Sequence, residues 1–157
     1  MDFILNIVQI WTIYRSNERQ RPWLFSPPLA RTRSIGALTL LPVVVREAKA
    51  AIEIAPAIDH CGPLRLLGTL LLRAPSWPTS VGDKDEALDT LKRAAEECPE
   101  HPGNHLYYGE ALADNGEKEA AIGEFEKALA LPVDPDWATM AKTIRDDTTR
   151  HLARLRK

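Results

Sequence analysis

The chain lacks several features that would assign it to a specialised class. Only 2 of its 157 residues are cysteine, too few for a scaffold held by several disulfides. With 20 Lys and Arg against 22 Asp and Glu, the net charge of −2 gives no electrostatic reason to expect a nucleic-acid partner. The apolar start, residues 1–14, is interrupted by Asn6 and Gln9 and falls short of the roughly 20 residues of a membrane-spanning helix. The apolar content of 45% is that of an ordinary globular protein.

Motifs of known chemistry are also missing. There is no Gly-rich phosphate loop, no His-Glu-x-x-His and no Gly-x-Ser-x-Gly. We therefore predict no catalytic residue, cofactor or metal, and no enzymatic activity. The leader begins with Asp2 and its arginines follow the apolar stretch, which is not the order of an export signal.

The first 40 residues differ in composition from the rest. Five arginines stand against two acidic residues, and three prolines interrupt the segment: Arg15, Arg19, Arg21, Arg31, Arg33, Asp2, Glu18, Pro22, Pro27 and Pro28. Three interpretations are open: a poorly ordered leader or loosely docked helix, an arginine-flanked helix on a membrane surface, and a stretch partly foreign to the protein. We treat 1–40 as a divergent N-terminal segment.

From residue 41 onwards, small and large apolar residues recur as in a series of helical hairpins. One set is Leu64, Leu67, Gly68, Leu71, Ala87, Leu91, Ala94 and Pro99, and the next is His105, Tyr108, Gly109, Leu112, Ala121, Phe125, Ala128 and Pro132. Ala87 and Ala121 are 34 residues apart, as are Ala94 and Ala128. This order resembles the tetratricopeptide repeat (TPR), a helix–turn–helix unit of 34 residues. The resemblance implies an all-α, TPR-like helical-hairpin solenoid, which binds other molecules and rarely performs chemistry.

The pattern divides residues 41–157 into four parts. They are a partial repeat at 41–58, a repeat with an inserted loop at 61–99, a repeat at 102–132 and a capping helix at 134–156. Helices are expected over about 62–73, 83–97, 103–114 and 118–131. Pro42 suits the first turn of an earlier helix, and Asp83 suits an N-cap with Glu86 as its capping-box partner. The pair Asn115-Gly116 predicts a tight turn.

Small residues mark where paired helices should approach most closely. A side chain at Gly68 or Gly109 would push the helices apart. Four small alanines on the opposing helices should allow the same close approach. The large residues of both sets then fill the seams. We assign these positions to the core, together with His105, which replaces a large aromatic residue of the repeat.

The first helices of TPR units line a concave groove. Their solvent-side positions here are Arg65, Thr69 and Arg73 in one repeat and Leu106, Glu110 and Asp114 in the next, each trio spaced by four along one helix face. One interpretation is a partner-binding groove with a basic and an acidic wall. The other is a set of intramolecular surface salt bridges.

Two further groups of residues have more than one interpretation. Trp77 lies in the inserted loop between prolines, where it could anchor a partner, although packing beneath a neighbouring helix is favoured. His60, Cys61, Cys98 and His101 come from ends of helices that should lie side by side. They could bind zinc, form a disulfide or remain unlinked thiols, and the last is favoured.

A narrower resemblance rests on two segments, Asp59-His60-Cys61-Gly62-Pro63 and the loop from Ala74-Pro75-Ser76-Trp77-Pro78 to Gly82-Asp83. They resemble the TPR-containing T component of tripartite ATP-independent periplasmic (TRAP) transporters, over about residues 40–131. Cys61 stands where that family usually has glycine. The resemblance implies a helical adaptor of the periplasm or cell envelope that associates with a solute-binding protein, and a homo-oligomer.

The resulting hypothesis is a non-enzymatic TPR scaffold that binds a protein or peptide, in the narrower version an accessory component of a TRAP-type solute transporter. The alternatives are a thiol- or metal-dependent enzyme using His60, Cys61, Cys98 and His101, and a purely structural oligomerisation module.

Overall fold

Six α-helices form most of the part of the chain that the computed structural model describes, residues 34–132 and 138–157. In chain order they are α1 (Ser34–Ile54), α2 (Ile58–Arg73), α3 (Lys84–Glu97), α4 (Pro102–Asp114), α5 (Lys118–Ala130) and α6 (Ala138–Leu155). These ranges hold no β-strand, and the inserted loop contributes an isolated bridge between Ser76 and Gly82. The predicted all-α class is confirmed. The interpretations offered for residues 1–33 and the predicted start of the capping helix at 134 lie outside the described residues.

Local chemistry explains where α3 begins. The Asp83 carboxylate accepts a hydrogen bond from the Glu86 backbone N–H at 2.9 Å, so the predicted N-cap is confirmed. The capping box is not formed, because the Asp83 N–H donates to Leu71 O at 3.1 Å. The Glu86 carboxylate instead pairs with Lys49 Nζ at 2.6 Å and so ties α3 to α1.

The first helix differs from its prediction. α1 begins at Ser34, and Pro42 lies inside it rather than in its first turn. An internal proline removes one helix hydrogen bond. Val45 and Ile52 pack with Ala48 against α2, and this tertiary contact offsets the local cost.

Two hairpins, α2–α3 and α4–α5, are built on the same close contact. A Cβ on Gly68 would lie 2.4 Å from Leu91 Cγ, and one on Gly109 would lie 2.6 Å from Phe125 Cε1. Neither position has room for a side chain, which confirms the predicted role of both glycines. Successive helices pack in chain order, and α4 also contacts both α2 and α6.

The core follows the predicted seams. One cluster lies between α4, α5 and α6 and contains Leu106, Leu112, Ala121, Phe125, Ile144 and Leu152. Two smaller ones lie among α1, α2 and α3, around Leu67 and Leu71 and around Cys61 and Leu64. Tyr108 is only partly buried, unlike the other predicted seam residues.

Candidate functional site

An ionic chain crosses the side of the molecule where the first helices of the hairpins meet. Arg73 Nη2 of α2 lies 2.8 Å from Glu110 Oε2 of α4, and His151 Nε2 of α6 lies 3.2 Å from Glu110 Oε1. The Arg73 guanidinium also lies 5.5 Å from the centroid of the Tyr107 ring. Leu66 shares a helix face with Arg73 and is 37% exposed. We call these five residues the first-helix face.

The charges on this face support each other. Burial alone would lower the pKa of Arg73, but the Glu110 carboxylate raises it above its ordinary value. Burial alone would raise the pKa of Glu110, but the hydrogen bond with His151 and the Arg73 charge lower it below the usual value. The Arg73–Glu110 pair is therefore ionised at neutral pH.

The predicted groove residues divide into several environments. Arg73 and Glu110 meet as an ion pair, as the salt-bridge interpretation requires. Leu106 is only 1% exposed and belongs to the core cluster with Phe125, so its predicted solvent position is wrong. The hydrophobic contact with α5 and α6 decided its direction. Asp114 lies 3.7 Å from Lys84 Nζ, at the end of α4 that faces the start of α3.

The Arg65 side chain is not exposed to a partner in the predicted groove. Its side chain is 13% exposed, and its Nη1 donates to His60 O at 2.9 Å and to Asn104 Oδ1 at 2.8 Å. The neighbouring Thr69 hydroxyl donates to Arg65 O at 2.7 Å. The Arg65 guanidinium therefore holds the start of α2 against α4.

The segment held by Arg65 has an unusual backbone. Asp59, His60 and Cys61 have φ values of 51°, 51° and 62°, in the left-handed region. Each such residue costs roughly 1–2 kcal/mol for a side chain with a Cβ. The Asn104 side chain helps to hold the segment, since its Nδ2 lies 3.1 Å from His60 O and 2.8 Å from Cys98 O. This left-handed turn, 59–61, explains why regular helix starts near Gly62, as predicted.

Cys61 and Cys98 form a disulfide, so the favoured expectation of unlinked thiols is wrong. The hairpin brings the start of α2 beside the end of α3, with the two Cα atoms 5.9 Å apart. The residues are 0% and 4% exposed. In this oxidised state neither sulfur can act as the nucleophile that the thiol-enzyme alternative needs.

The two histidines near the disulfide have other roles. His60 Nδ1 lies 2.8 Å from Glu100 Oε1 at the surface, and His101 Nδ1 accepts from the Gly103 N–H at 3.1 Å as the N-cap of α4. Burial, with the Arg65 charge and His60, lowers the pKa of His101 to about 3. Within the described residues, no group of three or more His, Cys, Asp or Glu side chains is arranged to hold a metal ion.

His105 is packed, as predicted. Its Nδ1 lies 2.7 Å from Glu124 Oε2 and its Nε2 lies 2.8 Å from Pro99 O. Burial raises the pKa of Glu124, but hydrogen bonds with His105 and Lys127 lower it overall. The pair thus fastens the start of α4 to α5.

Trp77 is 85% exposed, so the favoured prediction that it packs beneath a helix is wrong. It lies in a loop that is closed at its base, where the Gly82 N–H donates to Pro75 O at 2.9 Å. A Cβ on Gly82 would lie 2.1 Å from Ala74 O, so glycine is needed for this closure. The closed loop leaves the Trp77 indole uncovered.

Sequence reasoning missed Asn104, Tyr107 and His151 as members of these polar networks. Asn104 is 0% exposed although it is polar, and a helical pattern assigns such a residue to the surface. The partner of His151 is Glu110 on α4, which is distant in sequence. Only the tertiary arrangement brings these groups together.

No protein-family model matches the chain, and a search of curated proteins gives no significant match. In the part of the chain that the structure describes, no helix is long and apolar enough to cross a membrane.

Proposed function

We propose that the chain is a non-enzymatic, TPR-like scaffold that binds a protein or peptide partner. Two hairpins with the same glycine contact, one after the other, support a repeat architecture. Direct contacts of α4 with α2 and with α6 support a stack in which first helices lie next to first helices. Such stacks present an extended surface to a partner.

The observation that carries the proposal is the first-helix face itself. It spans three helices and combines a partly exposed leucine, a guanidinium stacked near Tyr107, and an ionised glutamate. The Arg73 side chain is 43% exposed despite its pairing, so part of it lies at the surface of this face. Arginine and tyrosine are enriched among the residues that dominate protein interfaces.

In its narrower form, the proposal is an accessory component of a TRAP-type transporter that contacts a solute-binding protein. The two segments that resemble that family have distinct structural roles here, namely the left-handed turn at 59–61 and the closed loop with Gly82. The Cys61–Cys98 disulfide is typical of oxidising compartments such as the periplasm. These points support the resemblance and an envelope location.

The test compares two arginines of similar exposure. Arg73 and Arg93 have side chains that are 43% and 51% exposed, and each pairs with a glutamate, but Arg93 lies on α3 and pairs within that helix. The genes next to that of this chain would be examined for a solute-binding protein, and the purified chain would be titrated with that protein. We expect Arg73→Ala to weaken binding by about tenfold and Arg93→Ala to change it by less than about twofold.

Circular dichroism would show that both variants are folded. Equal binding by both variants would overturn the role of the first-helix face. Absence of binding to the unaltered chain would overturn the transporter form of the proposal.

A further inference from the structure

The inserted loop exposes the largest apolar side chain that the described surface offers. Trp77 is 85% exposed, whereas the other exposed large apolar residues range from 37% to 63%. A single exposed apolar residue is common on monomers. Tryptophan is nevertheless the residue that most often supplies a large share of the binding free energy at an interface.

The loop is ordered before any partner arrives. The Thr79 N–H donates to Ser76 O at 3.1 Å, the Gly82 N–H closes the base on Pro75, and the Asp83 N–H donates to Leu71 O. A loop with this many internal hydrogen bonds loses little conformational freedom on binding. Because nothing in the hairpin covers Trp77, this order does not arise from packing of the indole.

Two segments beside the loop are acidic. Asp83 and Asp85 follow it directly, and the contact between Lys84 and Asp114 brings the α4–α5 turn alongside. That turn adds the exposed Glu117 and Glu119. Lys84 and Lys118 are the cations within 83–85 and 114–119, and Arg73, which precedes the loop, is paired with Glu110, so acidic groups are in excess.

We propose that Trp77 inserts into an apolar pocket on a partner protein whose rim carries lysine or arginine. The indole supplies the buried contact, and the acidic residues around the loop attract and orient the basic rim. The inference rests on the proposed function as a protein-binding scaffold and adds a second contact, at the edge of the stack rather than on the first-helix face. An anionic membrane surface fits less well, since the same acidic residues would repel it.

The first experiment places a photo-crosslinking amino acid at position 77 of the full chain, in cells of the source organism. Lys92, whose side chain is 53% exposed on α3, gives the control position. We expect position 77, and not position 92, to crosslink one protein that mass spectrometry identifies. Crosslinks only to lipid, only to a second copy of the chain, or to nothing would overturn the proposal.

The second experiment measures affinity for that purified protein. Trp77→Ala should weaken binding by about 10- to 100-fold, and Trp77→Phe by less, since an aromatic ring is kept. The double change Asp85→Asn and Glu119→Gln should slow association at low salt. The control Glu96→Gln and Glu97→Gln removes the same charge at the far end of α3 and should not slow it.

Two outcomes separate this inference from the proposed function. Binding that falls with Arg73→Ala but not with Trp77→Ala would overturn the loop contact and leave the scaffold in place. Binding that responds to neither change would overturn both. Unchanged association in the Asp85 and Glu119 double variant would remove the basic rim from the proposal.

Discussion

The two hairpins share their closest contact but are fastened by different bonds at different places. In α2–α3, Cys61 and Cys98 join the start of one helix to the end of the other covalently. In α4–α5, a buried pair of His105 and Glu124 joins the start of α4 to the middle of α5. The glycine contact is thus the common element, while the fastening varies.

The two hairpins also differ in how much irregular backbone each contains. The first carries three left-handed residues at its start and a long loop between its helices, so it has more backbone to restrain. The second turns tightly at Asn115-Gly116, with Gly116 at φ 87°. Its described residues include no left-handed residue other than this glycine and no long loop. A covalent link in the first hairpin and a buried hydrogen-bonded pair in the second are consistent with these demands.

The largest expected effect is in the second hairpin. Phe125 is 0% exposed and fills the contact with Gly109, so Phe125→Ala should lower the free energy of unfolding by about 3–5 kcal/mol. Urea denaturation measures this. Glu126→Ala, at the exposed neighbouring position, should cost at most about 1 kcal/mol. Similar losses for both variants would show that α4 and α5 do not meet at this contact.

The second-largest loss of stability is expected in the first hairpin. Replacing both Cys61 and Cys98 by alanine should lower the free energy of unfolding by about 2–4 kcal/mol, because the link closes a sequence separation of 37 residues. Hydrogen exchange should rise first at the left-handed turn and the end of α3. If α4–α5 lost protection to the same degree, the two fastenings would not be independent.

The smallest effect separates the His101 N-cap of α4 from the His105–Glu124 pair by pH. Because the folded-state pKa of His101 is lowered to about 3, stability is full above its ordinary value near 6.5 and falls as pH drops below it. The slope can reach about 1.4 kcal/mol per pH unit. Glu124 on α5 also has a lowered pKa, so its contribution falls only as pH drops below the ordinary glutamate value of 4.5.

The measurement is urea denaturation from pH 7.5 to 4.5. His101→Asn keeps an N-cap for α4 but removes the titrating ring, so it should flatten the slope between pH 6.5 and 4.5. His60→Asn, at an exposed histidine on the left-handed turn, should keep most of it, because burial is the main cause of the lowered His101 pKa. An unchanged slope in the His101 variant would show that another group causes the acid sensitivity.

Much of the helical framework could be predicted from residue types and spacing. The 34-residue recurrence of alanines, the two glycines and the Asp83 N-cap located four helices and their close contacts, because these features depend on neighbours within one hairpin. The start of α1 could not be predicted in this way. Contacts of Val45 and Ile52 with another helix outweighed the local preference of Pro42.

The candidate site depended more on tertiary structure. Spacing placed Arg73 and Glu110 on helix faces, but it could not show that Leu106 turns into the core, that Arg65 holds the left-handed turn, or that His151 reaches Glu110. The exposure of Trp77 was likewise decided by how the loop closes on Gly82. The sequence by itself determined helices and their nearest partners, since these follow from short-range periodicity. Only the packed structure decided which polar groups meet and which side chain stays exposed, because those contacts join residues far apart in the chain.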